Sequence, residues 1–202
     1  MSYPDFNNIT INNPVGVSPV GSDTLLIARH VAQLEFTRAL EVGTGTGFIP
    51  IYLSTLGRQC DGIDINPQSI TWASENAKLN SVDVKFYLSD LFANVRGKFD
   101  LIIFNPPWGN VRSTFFSKYL EIIKSLLPKE NEFISRITYL FIKKSRRKLI
   151  DIFFDEVHSN LRNSGSIVIL LHHTEFDLIK DTKFCVLDEL GSQKLVFLKP
   201  FL

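Results

Sequence analysis

Cysteine is scarce: among 202 residues only Cys60 and Cys185 occur, far apart and without a CxxC pair or Cys/His cluster that could hold zinc. That scarcity excludes a disulfide-stapled or zinc-ribbon fold. It reads as a reduced intracellular protein, with both thiols expected as small core hydrophobes inside the apolar runs around them. No run of ~18 apolar residues is present, and the leader from Met1 to Asn13 lacks a basic region followed by an apolar stretch. The expectation is a soluble, cytoplasmic chain with no membrane partner. Neither sign of charge dominates, since 22 Lys and Arg stand against 21 Asp and Glu. Nucleic acid is therefore neither demanded nor excluded, and a basic recognition surface has to be local.

What is present is core. A chain of this length with 45% hydrophobic residues suits one α/β domain better than two small ones. After a polar, proline-punctuated leader to about Pro19, the stretch Ser22-Asp23-Thr24-Leu25-Leu26-Ile27-Ala28 reads as a helix start with Ser22 or Asp23 as N-cap. Apolar runs of strand length follow at Ala39 to Val42, Gly62 to Ile65, Val84 to Leu88, Leu101 to Phe104, Ile167 to Leu171, Cys185 to Leu187 and Leu195 to Leu198. Their continuous apolarity suggests strands covered on both faces, as in a parallel sheet. Helical patterns at Phe48 to Leu56, Gln68 to Leu79, Phe115 to Leu127 and Lys148 to Leu161 alternate with them. The short link Glu189-Leu190-Gly191-Ser192 cannot hold a helical crossover, so the last two strands should form an antiparallel hairpin. The expected fold is a Rossmann-like doubly wound, mostly parallel seven-stranded sheet with a C-terminal antiparallel hairpin, one domain over 1–202. The rhythm breaks at about 109–148, an insertion of roughly forty residues expected to select the substrate, because insertions of that size in compact domains usually carry function.

The chemistry-bearing residues cluster at strand ends. Glu41-Val42-Gly43-Thr44-Gly45-Thr46-Gly47-Phe48 runs a buried strand through a glycine-rich turn into a helix, which lets backbone approach a ligand at the positive end of that helix. The glycines fall as GxGxG, and a carboxylate lies two residues before the first of them. This suits a ligand with an ammonium group, such as the methionine end of S-adenosylmethionine, better than a pyrophosphate. Asp64, followed by Ile65, ends the second strand, where an acid accepts from ribose hydroxyls. Asp90, followed by Leu91, ends the third and can accept from an adenine amino group; a helix or turn cap is its plainer role.

The fourth strand stops abruptly in Asn105-Pro106-Pro107-Trp108. Two prolines have fixed φ and no N–H, so the loop is stiff and its carbonyls are free to accept. The Asn105 side-chain oxygen and the Pro106 carbonyl can each take one N–H of a planar NH2 group, and Trp108 offers a face for it to stack on. A conjugated nitrogen of that kind is a poor nucleophile until it rehybridises, so acceptors that stabilise the charge growing on it are what its methylation needs.

These residues, in this order, closely resemble the small-domain class I methyltransferases, a group that includes the HemK/PrmC glutamine methyltransferases and many rRNA, tRNA and DNA base N-methyltransferases. The resemblance implies S-adenosylmethionine as cofactor, held by Thr24, Glu41, Gly43, Thr44, Gly45, Thr46, Gly47, Asp64, Ile65, Asp90, Leu91 and Asn105. It implies Asn105, Pro106, Pro107 and Trp108 as the catalytic loop. The segment Ser22 to Leu26 is similar to the helix start that borders the methionine end of the cofactor in HemK-like proteins. The glutamine-specific members usually carry tyrosine where Trp108 stands, and their shorter relatives work with a small zinc-binding activator protein. The acceptor stays open among a protein glutamine amide, a nucleobase amine and a small metabolite. Two readings from other classes remain: an NAD-dependent oxidoreductase, which would leave the Asn-Pro-Pro-Trp loop without purpose, and a non-catalytic nucleotide-binding module. Lys143-Lys144-Ser145-Arg146-Arg147-Lys148 is either a solvated helix end or a contact for phosphates or an acidic protein. His172 and His173 read as surface or packing residues.

Overall fold

Side chains on a strand alternate between faces, and in the central strands of this sheet both faces are buried. The computed structural model describes residues 6–107 and 131–199, the side chains of 131–142 excepted. It places seven strands in one sheet of order β3-β2-β1-β4-β5-β7-β6. They are β1 (Arg38–Val42), β2 (Gln59–Asp64), β3 (Phe86–Leu88), β4 (Phe99–Phe104), β5 (Leu161–His172), β6 (Phe184–Leu190) and β7 (Gln193–Leu198). Among the described residues the helices are α1 (Ser22–Val31), α2 (Phe48–Thr55), α3 (Pro67–Leu79) and α4 (Asn131–Val157), with a 3-10 helix at His173–Ile179. By its contacts the chain divides into two compact units, Met1–Asn105 with Asp155–Leu202, and Pro106–Phe154.

The sheet belongs to the first unit. Strands β1 to β5 pair in parallel, and β7 pairs antiparallel with both β5 and β6. The hairpin expected at the C-terminus is present, turning at Gly191-Ser192; its second strand lies inside its first, against β5. Ala39, Leu101, Ile103, Val168, Leu170 and Leu195 pack in one cluster with Ile27, Ala28 and Val31 of α1 and Phe48, Ile49, Tyr52 and Leu53 of α2. Their neighbours on the opposite face, among them Leu40, Ile102, Ile167 and Ile169, are fully buried too.

The leader is less polar in its role than in its composition. Phe6, Ile9 and Ile11 pack on the core cluster, and the Phe6 ring stands edge-on to Tyr52 at 4.8 Å. Two asparagines four positions apart, Asn76 on α3 and Asn80 at its C-cap, hold the leader's backbone. The Asn76 side chain accepts from Asn12 N–H at 2.9 Å and donates to its carbonyl, and Asn80 does the same for Thr10. Each amide thus acts as a peptide group on the edge of a strand.

Four expectations are corrected. The fourth helix was expected from Lys148 to Leu161, but it begins by Asn131 and ends at Val157, and Leu161 already opens β5. Lysine and arginine are good helix formers, so the basic run continues the helix instead of preceding it. Cys60 is buried as expected, whereas Cys185 is exposed, because β6 is an edge strand whose Phe184 and Val186 are exposed as well. The N-cap of α1 is Gly21, not Ser22 or Asp23. Within the basic run Arg146 is only 1% exposed, so neither of the two readings of the run, a solvated helix end or a contact for phosphates or an acidic protein, holds for that residue. The helix expected over Phe115 to Leu127, and Trp108, lie outside the described residues.

Candidate active site

The glycine loop is shaped by β2 and by packing from α3. The N–H groups of Gly43 and Thr44 both donate to the Ile63 carbonyl at 2.8 Å, which turns the chain out of the sheet at the end of β1. Gly43, Gly45 and Gly47 all have positive φ, at 73°, 55° and 81°. They differ in surroundings. A Cβ on Gly47 would come within 2.8 Å of Ala73 Cβ and of the Phe86 ring, so this glycine lets the loop sit against α3 and β3. A Cβ on Gly43 would meet nothing within 4 Å, and the backbone there faces open space. Asn76 also donates to the Thr46 carbonyl at 2.9 Å, so one side chain ties together the loop, α3 and the leader.

Thr44 and Thr46 are buried, and the Thr44 hydroxyl donates to Glu41 at 2.7 Å. Glu41 is 4% exposed. Burial pushes its carboxyl from 4.5 up to about 8; the Thr44 hydrogen bond pulls the other way and the nearby Asp64 charge adds to the rise. A cationic group reaching this carboxyl would draw the proton off it.

Asp64 closes β2. One of its oxygens accepts from Gly45 N–H at 2.9 Å and the other from Asn66 N–H at 2.8 Å. Each carboxylate oxygen retains a further lone pair, so a pair of hydroxyls can still be accepted. The N-cap of the following helix is Asn66, whose side chain accepts from Gln68 N–H at 3.0 Å. Ile65 beside Asp64 is 44% exposed. Past β3, Asp90 is exposed and its backbone carbonyl accepts from Ala93. Leu91 has φ 43°, a left-handed conformation that β-carbon sterics make uncommon, and the Ser89 hydroxyl donates to its carbonyl at 2.7 Å.

Asn105 follows β4 directly. Its amide nitrogen donates at 2.8 Å to the Asp23 carboxylate, in the first turn of α1. Thr24, next along, has its hydroxyl accepting from the Gly21 N–H at 3.4 Å. In the second unit the buried Arg146 guanidinium donates to the Pro106 carbonyl, and Pro107 is half-buried. A carbonyl taken as free in the sequence thus has one partner and retains one lone pair. His172 is buried, its Nδ1 bonded to the Thr174 hydroxyl at 2.8 Å, and His173 is exposed.

Asp23, Asn76 and Arg146 were not read for what they do. Asp23 stands in the right segment, and its spacing from α1 suggested a cap; its partner lies 82 residues away. Arg146 is an unremarkable member of a basic run in sequence, and nothing in the run singles it out for burial.

A family model described as the methyltransferase small domain matches residues 11–128. A putative protein N5-glutamine methyltransferase of Methanocaldococcus jannaschii is 36% identical over 151 residues, 73% of this chain and 68% of that protein. The release factor glutamine methyltransferase of Deinococcus radiodurans is 38% identical over 85 residues, 41% of this chain and only 31% of that protein. Among solved structures, the T. thermophilus 16S rRNA N2 G1207 methyltransferase in complex with AdoMet and guanosine superposes with a TM-score of 0.62 at 15% identity. The superposition covers 91% of this chain and 44% of that one.

Proposed function

The chain belongs to the methyltransferase small-domain family and is an S-adenosylmethionine-dependent methyltransferase, and we propose that its acceptor is the side-chain amide nitrogen of a protein glutamine. Among the described residues no helix is long and apolar enough to cross a membrane.

The residues around the glycine loop fit the cofactor. Gly43 leaves backbone open to close approach, Asp64 has lone pairs for two ribose hydroxyls, and the exposed Ile65 is an apolar platform for a base. Glu41, a buried acid without a cationic partner on the described chain, suits the cofactor's ammonium group. Asp90 is exposed at the end of β3, where an adenine amino group would lie in this reading, and Leu91, held left-handed, turns the chain beside it. The cofactor supplies a methyl group made electrophilic by its sulfonium.

Everything else falls to the acceptor loop. With its amide nitrogen committed to Asp23, Asn105 presents its oxygen as an acceptor, and a planar NH2 group is what that oxygen can hold. This single observation carries the reading. As the acceptor nitrogen gains a bond it turns positive and its N–H groups become stronger donors, so the Asn105 oxygen holds the transition state more tightly than the ground state. The lone pair remaining on the Pro106 carbonyl takes the second N–H, and Trp108 packs on the face of the amide. No strong base is required, because an N-alkylated amide cation loses its proton readily to water. The insertion at about 109–148 chooses the acceptor. Glutamine is favoured over a nucleobase by the Methanocaldococcus jannaschii relative, which is 36% identical over 73% of this chain.

The experiment is an acceptor competition. Labelled S-adenosylmethionine is incubated with the enzyme and a release factor protein, ribosomal RNA or free glutamine. The label is expected on the release factor, at a glutamine side-chain amide nitrogen located by mass spectrometry. Label on RNA, on free glutamine, or on carbon or oxygen would contradict the proposal.

A further inference from the structure

We propose that Asp23 is the positioning residue of the acceptor site: it fixes the Asn105 amide so that the oxygen, and never the nitrogen, faces the nitrogen to be methylated. The inference deepens the functional reading above and rests on it.

An asparagine amide has two ends of nearly equal shape and opposite hydrogen-bonding sense. Turned one way Asn105 holds an N–H; turned the other it presents a donor to a donor and repels the substrate. Something must choose. A carboxylate has no proton to give when ionised, so the only group that can face Asp23 is the amide nitrogen, which lies 2.8 Å from its Oδ2. The bond is charge-assisted, hence stronger than a bond between neutral groups. It also polarises the amide, placing more negative charge on the oxygen that meets the acceptor. As positive charge grows on the acceptor nitrogen, the carboxylate behind Asn105 lies on the favourable side of the field.

The carboxylate is itself accommodated. The residue two positions earlier is Gly21, and a Cβ there would come within 2.5 Å of Asp23 Oδ1. Gly21 has φ −111° and ψ 177°, extended backbone that any residue adopts. Glycine at this N-cap is thus explained by the room it leaves for the acid. Asp23 is also not used as a helix cap, since the bond to the N-cap N–H comes from Thr24.

Two measurements test this. In the first, the Asn105 side-chain amide is followed by NMR in labelled protein, without any acceptor. Asp23→Asn should shift its Nδ2 resonances toward those of a solvated amide, with melting temperature unchanged within about two degrees; an unmoved resonance would overturn the proposal. The second is a double-mutant cycle read by single-turnover transfer to a release factor. Asp23→Asn should lower the rate at least tenfold and leave the affinity for S-adenosylhomocysteine within about twofold. Added to Asn105→Ala it should cause no further loss. Gly21→Ala, which crowds the carboxylate but keeps its charge, should give a smaller loss of the same kind. Pairing Asp23→Asn with Asn105→Asp restores a donor facing an acid and should recover rate over Asn105→Asp alone. Additive losses in the cycle, or a loss that follows cofactor affinity, would overturn the role of Asp23 alone. A near-wild-type rate for Asn105→Ala would instead overturn the reading of the site on which it rests.

Discussion

The two sides of the site are built by different means. The proposed cofactor side is assembled from two adjacent strands and the turns after them: Glu41 bonds Thr44, Asp64 bonds Asn66 and, 19 positions earlier, Gly45, and Gly43 and Thr44 bond Ile63. The acceptor side is set by partners far along the chain. Asn105 is oriented by a residue 82 positions earlier, and the Pro106 carbonyl is bonded by one 40 positions later. A loop that needs close approach to a ligand is stiffened by backbone bonds to β2 and by glycine sterics against α3 and β3. A side-chain amide that must face one way needs a charged partner, and the fold brings that partner from wherever α1 happens to lie.

The contrast predicts different failures. The largest effect is expected at Gly47, where a side chain would meet both a φ of 81° and contacts of 2.8 Å to Ala73 and Phe86. Gly47→Val should abolish measurable S-adenosylhomocysteine binding and lower the melting temperature; calorimetry and thermal melts read both. A well-folded variant with normal binding would show that the loop is not set by this packing. Next comes Asp64→Ala, which removes the acid proposed to bind the ribose and leaves the N–H groups of Gly45 and Asn66 without their partner. Cofactor binding should weaken by roughly 1 to 3 kcal/mol, about 5- to 160-fold, while the rate at saturating cofactor changes far less. A rate loss with unchanged affinity would break the division between the two sides.

The smallest effect concerns Glu41. Its carboxyl titrates near 8 in the fold against 4.5 ordinarily, so between those values the folded protein binds a proton that the unfolded chain has released. This contribution to stability is complete below about 4.5 and is lost as pH rises through about 8. Glu41→Gln, which stays neutral, should lack it. Urea unfolding at pH 5 and pH 8 should therefore show the variant gaining on the wild type at the higher pH. A constant difference would mean that burial does not hold the Glu41 proton.

Legibility followed the same line. The parallel sheet, the glycine loop and the Asn105 strand end could be read because each is encoded in a continuous stretch: buried strands are apolar without alternation, and GxGxG spacing is a local steric requirement. Strand order could not, since nothing in Leu195 to Leu198 tells that β7 inserts between β5 and β6. Asp23 was misassigned for a related reason. A polar residue before an apolar helix face is ordinarily a cap, and only the fold reveals that Gly21 takes that place and frees the carboxylate. The leader looked polar because its asparagines and threonines are counted by type; Asn12 and Thr10 are in fact bonded through their backbones to α3.

Asn105 is the residue asked to stabilise charge that appears only as the methyl group moves. Single-turnover transfer at saturating S-adenosylmethionine, with cofactor affinity measured on the same preparation, isolates that role. For Asn105→Ala the expected result is a rate lower by about a hundredfold or more with affinity within about twofold of wild type. A rate near wild type, or a loss carried by affinity alone, would contradict it.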